Sequence, residues 1–238
     1  MSEPKIIAMY RIQNESRWIE KSLEETSKVC QEIVILDDCS TDNTVNICKK
    51  FPKVVDIYER TKPLPLDEVR DRNFLLKMAL KRNPEYILAL DGDEILMPNS
   101  KEILFEELQT LYPEANVLAF QFFYVWDNPA QIRYDGLYGK TWQSRLLKID
   151  NNSSKLVFQN SIYSGNLHCG SIPKYNIDSY LYRSNVKMLH YGNYDSKMRQ
   201  KKYSYYNQID PNSSEQENYI HIISNKGKHS GSKGIKFI

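Results

Sequence analysis

Long apolar runs are missing from this sequence. No stretch of about 18 apolar residues is available to cross a bilayer, and Met1 to Lys5 has neither the basic start nor the apolar segment of a secretory signal. A soluble, cytoplasmic protein is expected. Cysteine is scarce: Cys30, Cys39, Cys48 and Cys169 form no C-x-x-C pair, and with only four histidines a zinc site would need scattered ligands. They are expected to be reduced thiols. Charge of one sign is also lacking. Thirty-two basic residues face thirty acidic ones, which argues against nucleic acid binding by bulk electrostatics. No internal repeat is visible. The 238 residues suffice for one large α/β domain with a buried core.

What is present is an alternation. Lys5 to Tyr10, Glu32 to Leu36, Val54 to Tyr58 and Tyr86 to Leu90 read as strands, and each but the last is followed by a polar loop and a helical stretch. The helices are expected near Trp18 to Val29, over Asn43 to Lys50 and over Asp67 to Arg82, with Ser40 or Thr41 capping the second. Such alternation predicts a mostly parallel, Rossmann-like sheet flanked by helices, with ligands gathered beyond the carboxyl ends of the strands. After a helix over Lys101 to Leu111 the texture changes. Val117 to Trp126 is a long aromatic strand, Arg145 to Ile149 and Lys155 to Phe158 read as shorter ones, and Ser196 to Gln208 as a basic helix. The expected organisation is one domain over residues 1–224. Residues 1–98 form its first half, 99–224 a less regular second half, and 225–238 a flexible basic tail.

The most distinctive stretch is Asp91-Gly92-Asp93-Glu94, where an apolar strand ends in carboxylates. Carboxylates are hard oxygen ligands, and two of them one residue apart suit Mg²⁺ or Mn²⁺ with positions left open for phosphate oxygens. The alternative is a plain Asp-Gly turn. Asp37-Asp38-Cys39-Ser40-Thr41-Asp42, at the end of the second strand, reads either as a second ligand loop or as an ordinary capping loop.

Taken together, Asn14-Glu15, Asp37 to Thr44, Arg72-Asn73 and Asp91-Gly92-Asp93 stand in the order seen in the family 2 glycosyltransferases of the GT-A fold. The chain resembles that family over roughly Lys5 to Pro98. The resemblance implies an inverting, metal-dependent enzyme that moves a sugar from a nucleotide-diphospho-sugar donor to an acceptor. Donor binding falls to Tyr10, Asn14, Glu15, Asp37, Asp38, Arg72 and Asp91. Tyr10 would lie along the base, Asp37 would accept from base or ribose, and Arg72 would reach the phosphates or hold the acidic loop. Asp91 and Asp93 would hold Mn²⁺ or Mg²⁺, with His190, in Leu189-His190-Tyr191-Gly192, as third ligand.

Inverting transfer needs a base, and no Glu-Asp pair of the sort many relatives carry is present. Asp127 and His168 are the candidates, with Asp135 behind them. Trp126, Trp142 and Tyr124 read as core aromatics before sugar platforms. The stripe Lys197, Arg199, Lys201 and Lys202 reads as a solvated helix face, with anionic lipid or an acidic acceptor as the other reading. The acceptor, whether glycan, lipid-linked or protein, stays open, as does peripheral contact with a membrane. Two other functions share this architecture: a catalytically inactive nucleotide- or carbohydrate-binding protein, and a sugar-phosphate nucleotidyltransferase. The second usually carries a glycine-rich loop after its first strand, and Tyr10 to Glu15 has no glycine.

Overall fold

Four buried apolar runs make the first half. In the computed structural model, which describes residues 3–111, 115–135, 138, 141–150, 156–160, 169–173, 181–214, 219–224 and 229–231, they are β1 (Ile6–Ile12), β2 (Glu32–Asp37), β3 (Val54–Glu59) and β4 (Tyr86–Asp91). All pair in parallel in the order β3-β2-β1-β4. Both faces of β1, β2 and β4 are covered, which is why these strands read as continuous apolar segments. Helix α1 (Ile19–Val29) buries Ile19, Leu23 and Val29 against one face, as its spacing predicts, while α3 (Glu68–Leu80) buries Leu75, Leu76 and Ala79 against the other.

Helix ends follow their caps unevenly. Asp67 caps α3 by accepting from the Arg70 backbone N–H at 2.8 Å. The short α2 (Thr44–Cys48) is capped neither by Ser40 nor by Thr41: Asp42 Oδ1 accepts from the Thr44 N–H at 3.0 Å. Helix α4 (Ser100–Glu106) continues as a π-helical turn over Glu107–Leu111. There the buried Glu107 carboxylate accepts from the Ser184 hydroxyl and the Asn185 backbone N–H.

The second half completes the sheet. β5 (Glu94–Leu96), β6 (Val117–Trp126), β7 (Asn128–Arg133), β8 (Thr141–Lys148) and β9 (Leu181–His190) extend it beyond β4. β8 is antiparallel to both β4 and β6, so β6 runs in the direction of β4 and its carboxyl end lies on the same edge. β6 overshoots that edge. Leu88 and Leu118 both pair with Leu146, so Tyr124 lies well past the level of Asp91, and it is there that β9 brings in His190.

Three expectations need correction. Leu156 to Phe158 do not form a regular strand; Leu156 and Phe158 instead bury their side chains under α3. β5, β7 and β9 were not expected. β9 alternates, with Ser184, Val186 and Met188 inward and Arg183, Asn185 and Lys187 outward, so its apolar content is diluted. Within the expected flexible tail, His229–Gly231 forms β10, antiparallel to β7 at the sheet edge.

Candidate functional site

Two clusters of charge lie on adjacent loops at the carboxyl edge. The first is built from β1, β2, the segment after β3, and α3. Arg11 reaches Asp38 Oδ2 at 2.8 Å and Asp71 Oδ2 at 2.9 Å. Arg60 binds Asp71 Oδ1 at 2.7 Å and also Asp38 Oδ1, and Arg70 adds a bond to Asp71 at 2.8 Å. Burial pushes the Asp71 carboxyl up, but its bonds to Arg60, Arg70 and Arg11 hold it below the usual carboxylate range. Every carboxylate oxygen here is engaged. The Asn14 side chain closes the same corner by accepting from the Thr41 N–H at 2.8 Å.

The second cluster is less complete. β4 ends at Asp91, whose carboxylate accepts from Arg72 Nη2 at 3.0 Å and 3.3 Å. Burial raises the Asp91 carboxyl, and the charges of Arg72 and Arg145 outweigh it. Glu94 is buried and forms a bidentate pair with Arg145 from β8, while its Oε2 accepts from the Asp91 N–H at 3.2 Å. Between them, Gly92 leaves room for Glu15: a Cβ on Gly92 would come within 2.6 Å of Glu15 Cγ. Burial first, then the charges of Asp93 and Asp91, push the Glu15 carboxyl up to about 9.

His190 arrives because the three residues of β5 pair with the end of β9, Glu94 opposite His190. The Tyr191 N–H then donates to the Asp93 carbonyl at 2.9 Å. His190 Nε2 lies 3.8 Å from Asp93 Oδ1, too far for a hydrogen bond. Both pack over Gly192, where a Cβ would meet Asp93 Oδ2 at 2.5 Å and His190 Cε1 at 2.7 Å. Burial holds the His190 imidazole below its ordinary value, keeping it neutral near pH 7 and able to ligate. Among the described residues, buried Asp93 Oδ1 and His190 Nδ1 have no hydrogen-bond partner. Orphaned polar atoms of this kind are costly unless a ligand meets them.

These donors fit a hard divalent ion. Two carboxylates and a neutral imidazole are ordinary ligands, and the 3.8 Å gap accepts one ion at about 2.0–2.2 Å from each atom. Among the described residues no three such side chains already converge as a finished metal site.

The remaining expected residues divide. Asp37 is buried: its Oδ2 accepts from the Ser40 N–H at 2.9 Å, while Oδ1 has no hydrogen-bond partner among the described residues. Tyr10 cannot lie along a base, because its ring is wholly inside the core and its hydroxyl bonds Ser22 and Thr26. Asp38 and Asn14 are taken up in holding the loops together. Arg72 holds the acidic loop, and it is buried, not a surface ion pair. Asp127 follows β6 with φ 58, half exposed, its Oδ1 bound by Arg199 at 2.7 Å. Asp135 pairs with Arg133. His168 lies outside the described residues. Trp126 is core, its ring covered by the guanidinium groups of Arg133 and Arg199. Trp142 is partly buried under Arg183, and Tyr124 packs edge-on to His190.

Sequence reasoning missed Arg145 and misplaced Lys202. A cation opening the apolar run Arg145 to Ile149 signals a buried partner, and that partner is Glu94. In α5 (Ser196–Ile209) only Lys197 and Lys201 of the stripe are exposed. Arg199 is buried, and Lys202 is turned toward the acidic centre. A cavity of about 540 Å³ between the end of α1 and the start of α4 lies at the amino edge of the sheet, away from these groups.

Comparison with known proteins agrees with this layout. SunS, a prophage-derived glycosyltransferase of Bacillus subtilis, is 34% identical over 99 residues, 41% of this chain and 22% of its own. An uncharacterised protein of Mycobacterium tuberculosis is 28% identical over 94 residues, 37% of this chain. The matched segment thus spans less than a quarter of the length of these curated relatives. In fold, residues 1–349 of TarS from S. aureus align over 92% of this chain and 70% of that one, with a TM-score of 0.51 at 15% identity. The family model described as glycosyl transferase family 2 matches residues 12–168, which include β2 to β8 with Asp37, Asp38, Asp71 and Asp91 to Glu94 but neither Arg11 nor His190, and the chain belongs to that family.

Proposed function

We propose that the protein is an inverting glycosyltransferase that uses a nucleotide-diphospho-sugar donor and a divalent cation. The observation that carries this reading is the packing of Asp93 and His190 over Gly192, just beyond Asp91 at the end of β4, with Asp93 Oδ1 3.8 Å from His190 Nε2 and without a hydrogen-bond partner among the described residues. Asp91, Asp93 and His190 would hold Mn²⁺ or Mg²⁺, which when bound neutralises the diphosphate leaving group. Arg72 fixes the Asp91 carboxylate from behind, and the Glu94–Arg145 pair fixes the backbone that carries it. Asp37, on the neighbouring strand end, offers its unpaired oxygen to a donor N–H or O–H of the nucleotide.

For the acceptor proton, Asp127 is the base this reading assigns. It stands at the carboxyl end of β6, on the same edge as Asp91, with its orientation set by Arg199. Asp127→Asn should slow transfer by about 10² to 10⁴ with little change in donor affinity. A normal rate would move the role to His168. The reading as a whole is tested with a panel of nucleotide-sugars, with and without Mn²⁺. Release of nucleoside diphosphate from at least one, lost in excess chelator, is expected. No binding and no turnover of any donor would overturn it.

A further inference from the structure

The basic helix α5 is amphipathic in charge. Arg199 anchors it: Nη1 donates to the carbonyls of Asn193 and Tyr194, both at 3.0 Å, Nη2 holds Asp127, and the guanidinium lies 4.2 Å over the Trp126 ring. A helix fixed at that point presents the residues three and seven positions on to the same side. These are Lys202 and Tyr206, both partly buried, with the ammonium 6.0 Å from the Tyr206 ring centre. Lys197 and Lys201 face solvent.

Other cations around the centre are committed. Arg72 is bound to Asp91, Arg145 to Glu94, and Arg11 and Arg60 to Asp38 and Asp71. Lys202 has no hydrogen bond or ion pair among the described residues, yet its charge is felt by Glu15 and His190 within the acidic pocket. Burial disfavours the ammonium, but the surrounding negative charge, that of Asp93 and Asp91, outweighs it and holds the group above its ordinary value. A cation kept in a carboxylate pocket without a fixed partner is set up for an anion that arrives with its own counter-ion.

We infer that Lys202 binds the diphosphate of the donor, reaching from α5 across the acidic centre. This rests on the donor reading proposed above. A compact ammonium on a flexible stem acts on phosphate as a point charge, without the fork geometry that ties arginine to one carboxylate. Nothing in the sequence distinguishes it from its solvent-facing neighbours.

The experiment is calorimetric titration of UDP, GDP, CDP, ADP and dTDP, and of their monophosphates, in the presence of Mn²⁺. Proteins compared are wild type, Lys202→Met, Lys202→Arg and the solvent-face control Lys197→Met. For the diphosphate that wild type binds, Lys202→Met should weaken affinity by about ten- to hundredfold, the scale of one charge-assisted contact. The monophosphate should be affected much less, Lys202→Arg should recover part of the loss, and Lys197→Met should match wild type. Equal diphosphate affinity in wild type and Lys202→Met overturns the inference alone. Equal losses for diphosphate and monophosphate overturn it as well, since they indicate a structural role. Failure of wild type to bind any diphosphate overturns the donor reading and the inference with it.

Discussion

The two charge clusters at the sheet edge are made of the same residue types and differ in closure. Around Asp71, three arginines and two carboxylates satisfy one another, and the Asp71 side chain is fully buried. Around Asp93, buried Asp93 Oδ1 and His190 Nδ1 have no hydrogen-bond partner among the described residues. A buried polar group left unpaired costs about 1–3 kcal/mol, so the second cluster is kept at a cost the first avoids. The comparison separates the two where composition does not: Asp38 follows β2 and Asp91 ends β4, and only Asp91 belongs to a cluster with buried atoms left unpaired among the described residues.

The sharpest way to break this contrast is to open the closed cluster. Asp71→Ala leaves Arg11 and Arg60 with Asp38 as their one remaining carboxylate and should cost about 3–5 kcal/mol in denaturant unfolding. A loss under about 1 kcal/mol would show that the cluster is not the scaffold described here. In the open cluster the opposite pattern is expected. Asp93→Asn should lower donor turnover by about 10² to 10³ while the unfolding midpoint is kept, and Asp91→Asn should lower turnover as far but also lower the midpoint, because it removes the charged partner of buried Arg72. Turnover that continues at the wild-type rate in either variant would remove the metal role.

Asp37 tests the border between them, with one oxygen satisfied and one not. Asp37→Ala should weaken nucleoside diphosphate binding by about 1.5–3 kcal/mol by calorimetry. Unchanged affinity would assign Asp37 to the scaffold. The last test concerns acidity. Glu15 is held up to about 9 against an ordinary 4.5, so between those values the folded protein keeps a proton that the unfolded chain has released. Stability is therefore full below the lower value and erodes as pH rises through the upper one. Metal-free wild type should lose thermal midpoint from about pH 5 to about pH 9, and Glu15→Gln should lose less of it. Parallel curves would show that Glu15 is not crowded by Asp91 and Asp93.

Much of the first half was legible because its strands are buried on both faces. Their apolar runs are continuous and their ends are marked by carboxylates, so β1 to β4 and Asp91-Gly92-Asp93 could be read directly. Roles within the loops were less legible. Tyr10 sits at a strand end like a ligand residue, but strand alternation turns it into the core toward Ser22 and Thr26, and which face a residue takes depends on packing. The second half hid its strands. β9 carries Arg183, Asn185 and Lys187 on its outer face, and β7 contains Pro129, so neither shows a simple apolar run. The inward turn of Lys202 depends on where Arg199 anchors α5, which spacing alone does not fix.

The pairing of β5 with β9 also bears on when the centre comes into being. Asp93 and His190 lie almost a hundred residues apart in the chain, and a strand of three residues joins them. The parallel strands carrying the carboxylates all lie within the first part of the chain, β2 pairing with β1 at a separation of 25 residues and β4 with β1 at 80, and contacts of long sequence separation tend to form late because chain closure must precede their reward. A chain emerging in order can lay down β1 to β4, with Asp37, Asp91 and Asp93 at their ends, before β9 has been made. The carboxylates and the imidazole then arrive at different stages, so completion of the centre reports that the second half has folded onto the first.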